Sequence, residues 1–300
     1  MKTAADLRAW EIPDAATFSD TEGGLVRLDI ATPLVTAEVY LHGAHITMFQ
    51  PAGTPPVLFL SKKSHFNSGK AIRGGVPVIF PWFGPKADQP ELPAHGFVRT
   101  MEWDIESLSL AAGGEVHVVL RVASNDATRA SWPHDFVLRH RIVFGASLEM
   151  TLETENASAE PFTYEDALHT YFTVADALEV TVSGLAGTEY LDKVDGGKRK
   201  SQGPHPIRIE RETDRLYLNT NAACVVDDPS LSRRIVVEKS GSDSTVVWNP
   251  WQAKGMSLTD LGEEWPRMIC IETVNAAENA VTLAPGARHA TRALVRIEQD

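Results

Sequence analysis

Glu272 is the residue whose surroundings in the sequence point most directly to chemistry. Residues 267–275, RMICIETVN, predict a strand that is apolar on both faces, so the Glu272 carboxylate would be buried. Burial of a carboxylate costs several kcal/mol unless the group is paired or protonated, and residues placed at such cost are frequent at active sites. A buried salt bridge is the alternative interpretation.

His169 and two tryptophans are the next candidates for a ligand-binding surface. A strand over residues 166–174, DALHTYFTV, would place His169 on the same face as Tyr171, and this mixed face is typical of a cleft wall. The alternative is a core histidine that bonds a neighbouring carbonyl group. Trp248 and Trp251 flank an Asn-Pro turn and form either a stacking platform for a sugar ring or a pair of core residues.

Two loop segments carry arginine and histidine next to glycine. Residues 71–85, AIRGGVPVIFPWFGP, contain three prolines, which exclude a helix or a central strand. The Gly-Gly pair after Arg73 lets the backbone approach a ligand beside a fixed positive charge. Residues 92–99, LPAHGFVR, would present His95 and Arg99 to one pocket. A salt bridge for Arg73 and a solvated surface position for His95 are the alternatives.

Composition excludes several classes of function. The formal net charge is −12, which disfavours nucleic acid and anionic membranes as partners, so a phosphate substrate would need a local basic pocket. Two cysteines make no disulfide framework and no zinc spacing. Nucleotide-binding, zinc-protease and nucleophile-elbow motifs are missing, so we expect no metal and no cofactor. An N-terminus without an apolar signal region and a chain without an 18-residue apolar run predict a cytoplasmic protein with no membrane span.

The elements that must position these residues are short strands. Period-2 alternation recurs along the chain in runs bounded by Gly, Asn, Asp or Pro, and sustained helical periodicity is hard to find. This pattern predicts an all-β sandwich of antiparallel sheets, in a single domain over residues 1–300. Only short helices are expected, near residues 6–10 and 260–265. The basic stretch over residues 191–211 predicts a surface loop or hairpin within that domain.

The segments together resemble the hexose-6-phosphate mutarotases, or glucose-6-phosphate 1-epimerases, a branch of the aldose 1-epimerase superfamily. The pieces that carry the resemblance occur in the family's order: RGGVPVIFPWFGP, PAHGFVR, ALHTYF, TDRLY, VVWNPW and ICIETVNA. The resemblance implies a galactose mutarotase-like β-supersandwich with a cleft across one face. It implies His169 as general acid and Glu272 as general base. It also places four residues around the substrate, namely Arg73, His95, Arg99 and Asp214.

The implied reaction is mutarotation of an aldohexose 6-phosphate, and we expect the enzyme to be a monomer by default. A base removes the C1-hydroxyl proton, an acid protonates the ring oxygen, and the opened chain rotates about C1–C2 before it closes. We expect His169 and Glu272 on opposite walls of one cleft, and Arg73 and Arg99 as the phosphate ligands. Where relatives often carry Gln, this chain has Ala94, which leaves the substrate preference open. An aldose 1-epimerase of free sugars and a non-catalytic sugar-binding sandwich are the alternatives.

Overall fold

Short antiparallel strands make up most of the molecule, which is known here from a computed structural model that describes residues 2–86 and 88–299. In chain order the strands are β1 (Ala16–Asp20), β2 (Val26–Ala31), β3 (Val35–Tyr40), β4 (His45–Pro51), β5 (Val78–Ile79), β6 (Asp104–Leu110), β7 (Val116–Ala123), β8 (Phe136–Phe144), β9 (Leu148–Asn156), β10 (Phe162–Tyr164), β11 (Asp166–Leu168), β12 (Tyr171–Thr173), β13 (Thr181–Ser183), β14 (Glu189–Asp192), β15 (Lys198–Ser201), β16 (Thr213–Tyr217), β17 (Cys224–Asp228), β18 (Arg233–Ser240), β19 (Ser244–Asn249), β20 (Met268–Asn275), β21 (Val281–Leu283) and β22 (Arg288–Gln299).

Two eight-stranded sheets dominate the architecture. The first has the order β15-β14-β16-β19-β20-β11-β5, with β12 also paired to β20, and the second has the order β13-β17-β18-β22-β9-β8-β7-β6. Strands β1 to β4 form a four-stranded sheet, and β10 pairs with β21. Side chains of both large sheets meet in one apolar core, because Ile269 and Ile271 of β20 belong to the same cluster as Leu152 and Val295 of β9 and β22. The expected sandwich of antiparallel sheets is therefore present.

Alternation of side chains explains why these segments form strands. Along β9, buried residues alternate with half-buried ones over all nine positions, as the period of two requires when one face packs on a core. Strand β20 differs, since every residue from Met268 to Asn275 is buried. Its second face, with Cys270 and Val274, packs in a separate apolar cluster that includes Trp248 and Trp265. The prediction that both faces of this strand are buried is confirmed.

The proline-rich and basic segments take the predicted forms. Residues 71–85 contain only the two-residue strand β5, which lies at the end of its sheet. Strands β14 and β15 form an antiparallel hairpin, with Glu189 opposite Ser201, around a 3₁₀ turn at Lys193–Asp195. Both cysteines, Cys224 and Cys270, are free thiols buried in the interior. The assignment of residues 1–300 to one domain stays a prediction.

Helices are short, and two α-helices within the described residues were not predicted. Helix α1 (Ala4–Leu7) continues into a 3₁₀ turn at Arg8–Trp10, and another 3₁₀ segment spans Gly262–Arg267, close to the two predicted positions. Helices α2 (Asp126–Ser131) and α3 (Trp251–Ser257) were missed because neither is long enough to display an apolar period. Within the described residues, no helix has the length and apolar character needed to cross a bilayer.

Candidate active site

An open cleft lies over the first large sheet and collects most of the predicted site residues. Its floor is formed by neighbouring strands, since β16 pairs with β19 and β19 pairs with β20. Aromatic rings, cations and carboxylates share its walls, a mixture suited to a polar ligand with an apolar ring face. The lining residues are Arg73, Phe83, Gly84, Pro85, His95, His169, Tyr171, Lys193, Asp214, Val246, Trp248, Lys254, Leu258 and Glu272.

His169 and Glu272 are adjacent at the bottom of this cleft. Strands β11 and β12 both pair with β20, with Leu168 opposite Thr273 and Tyr171 opposite Cys270, so the link that carries His169 crosses beside Glu272. The His169 Nε2 atom lies 3.3 Å from Glu272 Oε1. The expectation that His169 and Glu272 lie on opposite walls was wrong. Glu272 belongs to β20 and His169 lies between two strands that pair with β20, so both side chains are on one wall.

Burial sets the protonation of this pair. Burial is the main reason why the pKa of Glu272 lies well above its ordinary value of 4.5. The charge of Lys193 opposes this rise, and the charge of Asp214 adds to it. Burial also lowers the pKa of His169 well below 6.5, and His95, Arg73 and Arg99 contribute to that decrease. Since burial disfavours the charged form of each group, it favours a protonated Glu272 beside a neutral His169. One acid and one base are thus available together.

Two atoms of the pair are left for a ligand. Glu272 Oε2 and His169 Nδ1 are buried and have no hydrogen-bond partner within residues 2–86 and 88–299. An unsatisfied buried polar atom costs about 1–3 kcal/mol, a cost that a ligand bonded to it can offset. A sugar hydroxyl in the cleft can donate to Glu272 Oε2.

Arg73 enters the cleft from the proline-rich loop. The following Gly74 has φ +109°, and a Cβ atom there would lie 2.4 Å from the Phe59 carbonyl oxygen, so only glycine permits this loop path. The guanidinium donates from Nη1 to the Tyr171 hydroxyl at 3.0 Å, and Nε lies 3.1 Å from Asp260 Oδ2. Arg73 therefore forms the salt bridge that was considered as the alternative, and it also lines the cleft.

His95 is held in a strained turn that fixes its ring. Its φ is +68°, its backbone N–H donates to the Gly84 carbonyl at 2.8 Å, and Gly84 N–H donates back to His95 Nδ1 at 3.2 Å. Burial is the largest cause that lowers the pKa of His95 to about 3, and Arg99 adds to it. The ring is thus neutral with its proton on Nε2, which makes that atom a hydrogen-bond donor for a ligand.

Arg99 lies beside the cleft and is not one of its lining residues. Its Nη2 donates to the backbone carbonyl of Ala94 at 2.6 Å, on the same loop. The side chain of Ala94 is therefore not needed to hold Arg99. Of the six predicted site residues, the structure brings five into the cleft and leaves Arg99 next to it.

Asp214 lines the cleft from β16, where it pairs with Trp248 of β19. Burial raises the pKa of its carboxyl group above 3.8, and the ammonium groups of Lys193 and Lys254 oppose that rise. The placement agrees with a role in binding sugar hydroxyls. Of the two tryptophans, Trp248 lines the cleft, whereas Trp251 packs against Trp265 with ring centroids 5.3 Å apart. The idea of a platform built from both was therefore wrong.

Several cleft residues were not identified from the sequence. Lys193 reaches the cleft from the turn of the β14–β15 hairpin and lies 4.2 Å from the Phe83 ring centroid. Lys254 comes from α3 and pairs with Glu212 at 2.7 Å. Asp260 was missed as the partner of Arg73. The sequence carries no signal for these contacts, because each one depends on segments far apart in the chain.

The same strand face brings together potential metal ligands. One ligand atom each from His169, Cys270 and Glu272 lies within 4.8 Å of the others. A metal would require the thiolate, but burial raises the pKa of Cys270 well above 9.0, and the carboxylate of Glu272 raises it further. His169 and Glu272 are also engaged with each other. These residues therefore fit an acid–base pair better than a metal centre.

Comparisons with known proteins agree with this geometry. The profile of the aldose 1-epimerase family matches residues 27–296. A protein of Escherichia coli (strain K12) named "Putative glucose-6-phosphate 1-epimerase" is 39% identical over 247 residues, which cover 82% of each chain. A protein of Cenchrus ciliaris with the same name is 36% identical, over 83% of this chain and 78% of its own.

A solved structure shares the whole fold. It is described as a "putative mutarotase" from Salmonella typhimurium, and it superposes with a TM-score of 0.90 at 32% identity, over 97% of this chain and 96% of its own. The predicted galactose mutarotase-like fold is thereby confirmed. On the family profile and the identity to these relatives, the chain belongs to the aldose 1-epimerase family of isomerases.

Proposed function

We propose that the protein interconverts the α and β anomers of an aldohexose 6-phosphate, with glucose 6-phosphate as the first candidate. The observation that carries the proposal is the buried His169–Glu272 pair, 3.3 Å apart, in a cleft that also holds Arg73. The names of the relatives support the same substrate class. The expectations of a monomeric, cytoplasmic enzyme without a cofactor stay predictions.

Mutarotation needs only proton transfers, which this pair can supply. One group takes the proton of the C1 hydroxyl while the other protonates O5, the C1–O5 bond breaks, and an open-chain aldehyde forms. After rotation about C1–C2, the O5 hydroxyl attacks the aldehyde, its proton leaves and the carbonyl oxygen is protonated. The two transfers balance within a pair that holds one proton, and each positioned group typically contributes about 10²–10⁴-fold to the rate.

The family resemblance gives His169 as acid and Glu272 as base. Burial favours the opposite resting state, with the shared proton on Glu272. Transfer of that proton across the 3.3 Å contact interconverts the two states without a change in total charge. Because opening and closing use the two groups in opposite senses, both arrangements occur within one catalytic cycle.

The remaining predicted residues are assigned to substrate binding. Arg73 and Arg99 are proposed to hold the 6-phosphate, since guanidinium groups match phosphate geometry. His95 Nε2–H and the Asp214 carboxylate are proposed to bind ring hydroxyls. Arg99 would have to exchange its bond to the Ala94 carbonyl for a phosphate oxygen.

Exchange NMR on equilibrated sugars tests the function. We expect fast exchange between the anomers of glucose 6-phosphate, and a decrease of about 10²–10⁴-fold in kcat for Glu272→Gln, because Gln cannot accept the proton. The same measurement with glucose is the companion experiment. Absence of exchange with both sugars at protein concentrations that match the substrate would contradict the proposal.

The phosphate ligands are tested by Arg73→Gln together with Arg99→Gln. We expect the preference for glucose 6-phosphate over glucose to fall by at least about tenfold, the effect of one charged hydrogen bond. Arg208→Gln is the matched control, since Arg208 is exposed and does not line the cleft. An unchanged preference in the double variant would remove the assignment of both arginines.

One observation favours an aldose 1-epimerase of free sugars as the second candidate. Arg73 is already engaged by Asp260 and Tyr171, so a phosphate would have to compete with or join these partners. Rapid exchange of glucose at a kcat/KM equal to that of glucose 6-phosphate would support this second function and leave the acid–base pair in place.

A further inference from the structure

Tyr171 stands between the two functional halves of the cleft. Strand β12 pairs with β20 so that Tyr171 lies opposite Cys270, which places its side chain on the cleft face beside Glu272. Only 2% of its surface is exposed. A side chain packed this closely sits in a rotamer minimum and can hold its neighbours in place.

The ring of Tyr171 orients the imidazole of His169. The two rings are stacked, with centroids 4.8 Å apart and planes inclined by 10°. Trp248 meets both rings edge-on, at 6.0 Å from His169 and 5.8 Å from Tyr171. His169 Nδ1 has no hydrogen-bond partner within the described part of the chain, so ring packing replaces the hydrogen bond that usually orients a functional histidine.

The hydroxyl group of Tyr171 holds Arg73. It accepts a hydrogen bond from Arg73 Nη1 at 3.0 Å, while Asp260 fixes the Nε side of the same guanidinium. Arg73 lines the cleft and is therefore held from two sides in a defined orientation. One rigid side chain thus contacts both the arginine and the imidazole, through different atoms.

We propose that Tyr171 is a positioning residue with two separable roles. Its hydroxyl group orients Arg73 for the phosphate of the substrate, and its ring orients His169 for proton transfer. The inference rests on the proposed function, because it assigns phosphate binding to Arg73. Separable roles predict different kinetic consequences for removal of the hydroxyl group and removal of the ring.

Tyr171→Phe removes the hydroxyl group and keeps the ring. We expect KM for glucose 6-phosphate to rise at least about tenfold, the lower end of the range for loss of one hydrogen bond to a charged group. The kcat value for that substrate and the kcat/KM value for glucose should stay within about twofold of wild type, since the stacked ring remains. Equal effects on both sugars, or no effect on either, would overturn the first role.

Tyr40→Phe is the matched control. The Tyr40 hydroxyl group also interacts with an arginine, Arg27, but neither residue lines the cleft. This variant should leave the kinetic constants for both sugars unchanged. A rise in KM for glucose 6-phosphate in Tyr40→Phe equal to that in Tyr171→Phe would show a nonspecific effect and would overturn the assignment.

Tyr171→Met fills much of the space but removes the ring. We expect kcat to fall at least about tenfold with both sugars, because misplacement of a catalytic group by about 1 Å is already costly. Ring-current shifts of His169 test the same role in wild type and in Tyr171→Phe, so this measurement does not depend on whether Tyr171→Met folds. The ring protons of His169, assigned with His169→Gln, should resonate upfield in wild type and in Tyr171→Phe, and an unshifted resonance would overturn the second role.

Failure of the proposed function is distinguishable from failure of this inference. If wild type accelerates exchange of neither sugar, the proposed function is wrong, but titration with inorganic phosphate still tests the hydroxyl role. Binding at least about tenfold weaker in Tyr171→Phe than in wild type would support that role. Equal binding by the two proteins would overturn it.

Discussion

The proton inventory of the buried pair determines how the catalytic rate responds to pH. Glu272 and His169 share one proton because burial disfavours the charged form of each group. Binding of a second titratable proton would have to charge His169. Loss of the shared proton would leave the Glu272 carboxylate buried beside a neutral imidazole, without a cationic partner. Both events remove one of the two groups that mutarotation needs.

The first prediction is a broad pH plateau in kcat/KM for anomer exchange. The acid limb should fall below pH 6.5, because His169 gains its second proton only well below its ordinary pKa. The alkaline limb should lie well above pH 4.5, where an ordinary glutamic acid would already have lost its proton. Exchange rates measured from about pH 4 to about pH 10 give the profile. An acid limb centred at pH 6.5 or higher would contradict the shared-proton account.

Individual elements place the cleft residues through close backbone contacts. The turn that carries His95 is an example, since the adjacent Gly96 has φ +68° and packs against the backbone of Phe80. A Cβ atom at Gly96 would lie 1.9 Å from the Phe80 carbonyl oxygen. This position therefore requires glycine both for its φ angle and for space.

The second prediction concerns Gly96→Ala. The clash must displace the loop, so we expect the free energy of unfolding to fall by at least about 2 kcal/mol, together with lower kcat/KM as His95 moves. Gly53→Ala is the control, because Gly53 has φ +76° but nothing within 4 Å of the point where a Cβ atom would lie. That variant should lose about 1 kcal/mol and retain its activity. Urea unfolding gives both values, and equal losses would contradict the prediction.

Local patterns in the sequence predicted single strands but not which strands lie next to each other in a sheet. Alternation identified β9, and the apolar run identified β20 with both faces buried. The contact between His169 and Glu272 depends on the register of β11 and β12 against β20, across about a hundred residues of chain. Nothing in a short window encodes that register. Strand patterns singled out Glu272 and His169 as candidates, whereas the family resemblance supplied their roles and added Asp214.

Contacts between the two large sheets hold the molecule together, and these contacts include polar ones at Asp166. Asp166 of β11 accepts a hydrogen bond at 2.8 Å from the hydroxyl group of Thr291, which belongs to β22 of the other sheet. It also accepts one at 3.0 Å from Asn275 of β20. Burial raises the pKa of Asp166 to about 7 from 3.8, although both hydrogen bonds oppose the rise. The folded protein therefore binds a proton here that the unfolded chain releases above about pH 4.

The third prediction is a pH-dependent loss of stability that originates at this bridge. A raised pKa in the folded state gives stability that is fully present below pH 3.8 and lost as pH rises through about 7. One pKa unit corresponds to about 1.4 kcal/mol, so the loss attributable to Asp166 is at most about 4 kcal/mol. Urea unfolding at about pH 4 and about pH 8 measures it, as the difference between wild type and Asp166→Asn.

Two variants at this bridge should respond in opposite directions, and this separates the effect of Asp166 from that of other titrating groups. Asp166→Asn cannot ionise, so its unfolding free energy should fall less than that of wild type between about pH 4 and about pH 8. Thr291→Val removes a hydrogen bond that stabilises the carboxylate, so its free energy should fall further and continue to fall above about pH 7. If all three proteins lost the same free energy over this range, Asp166 would not be the group that couples sheet contact to pH.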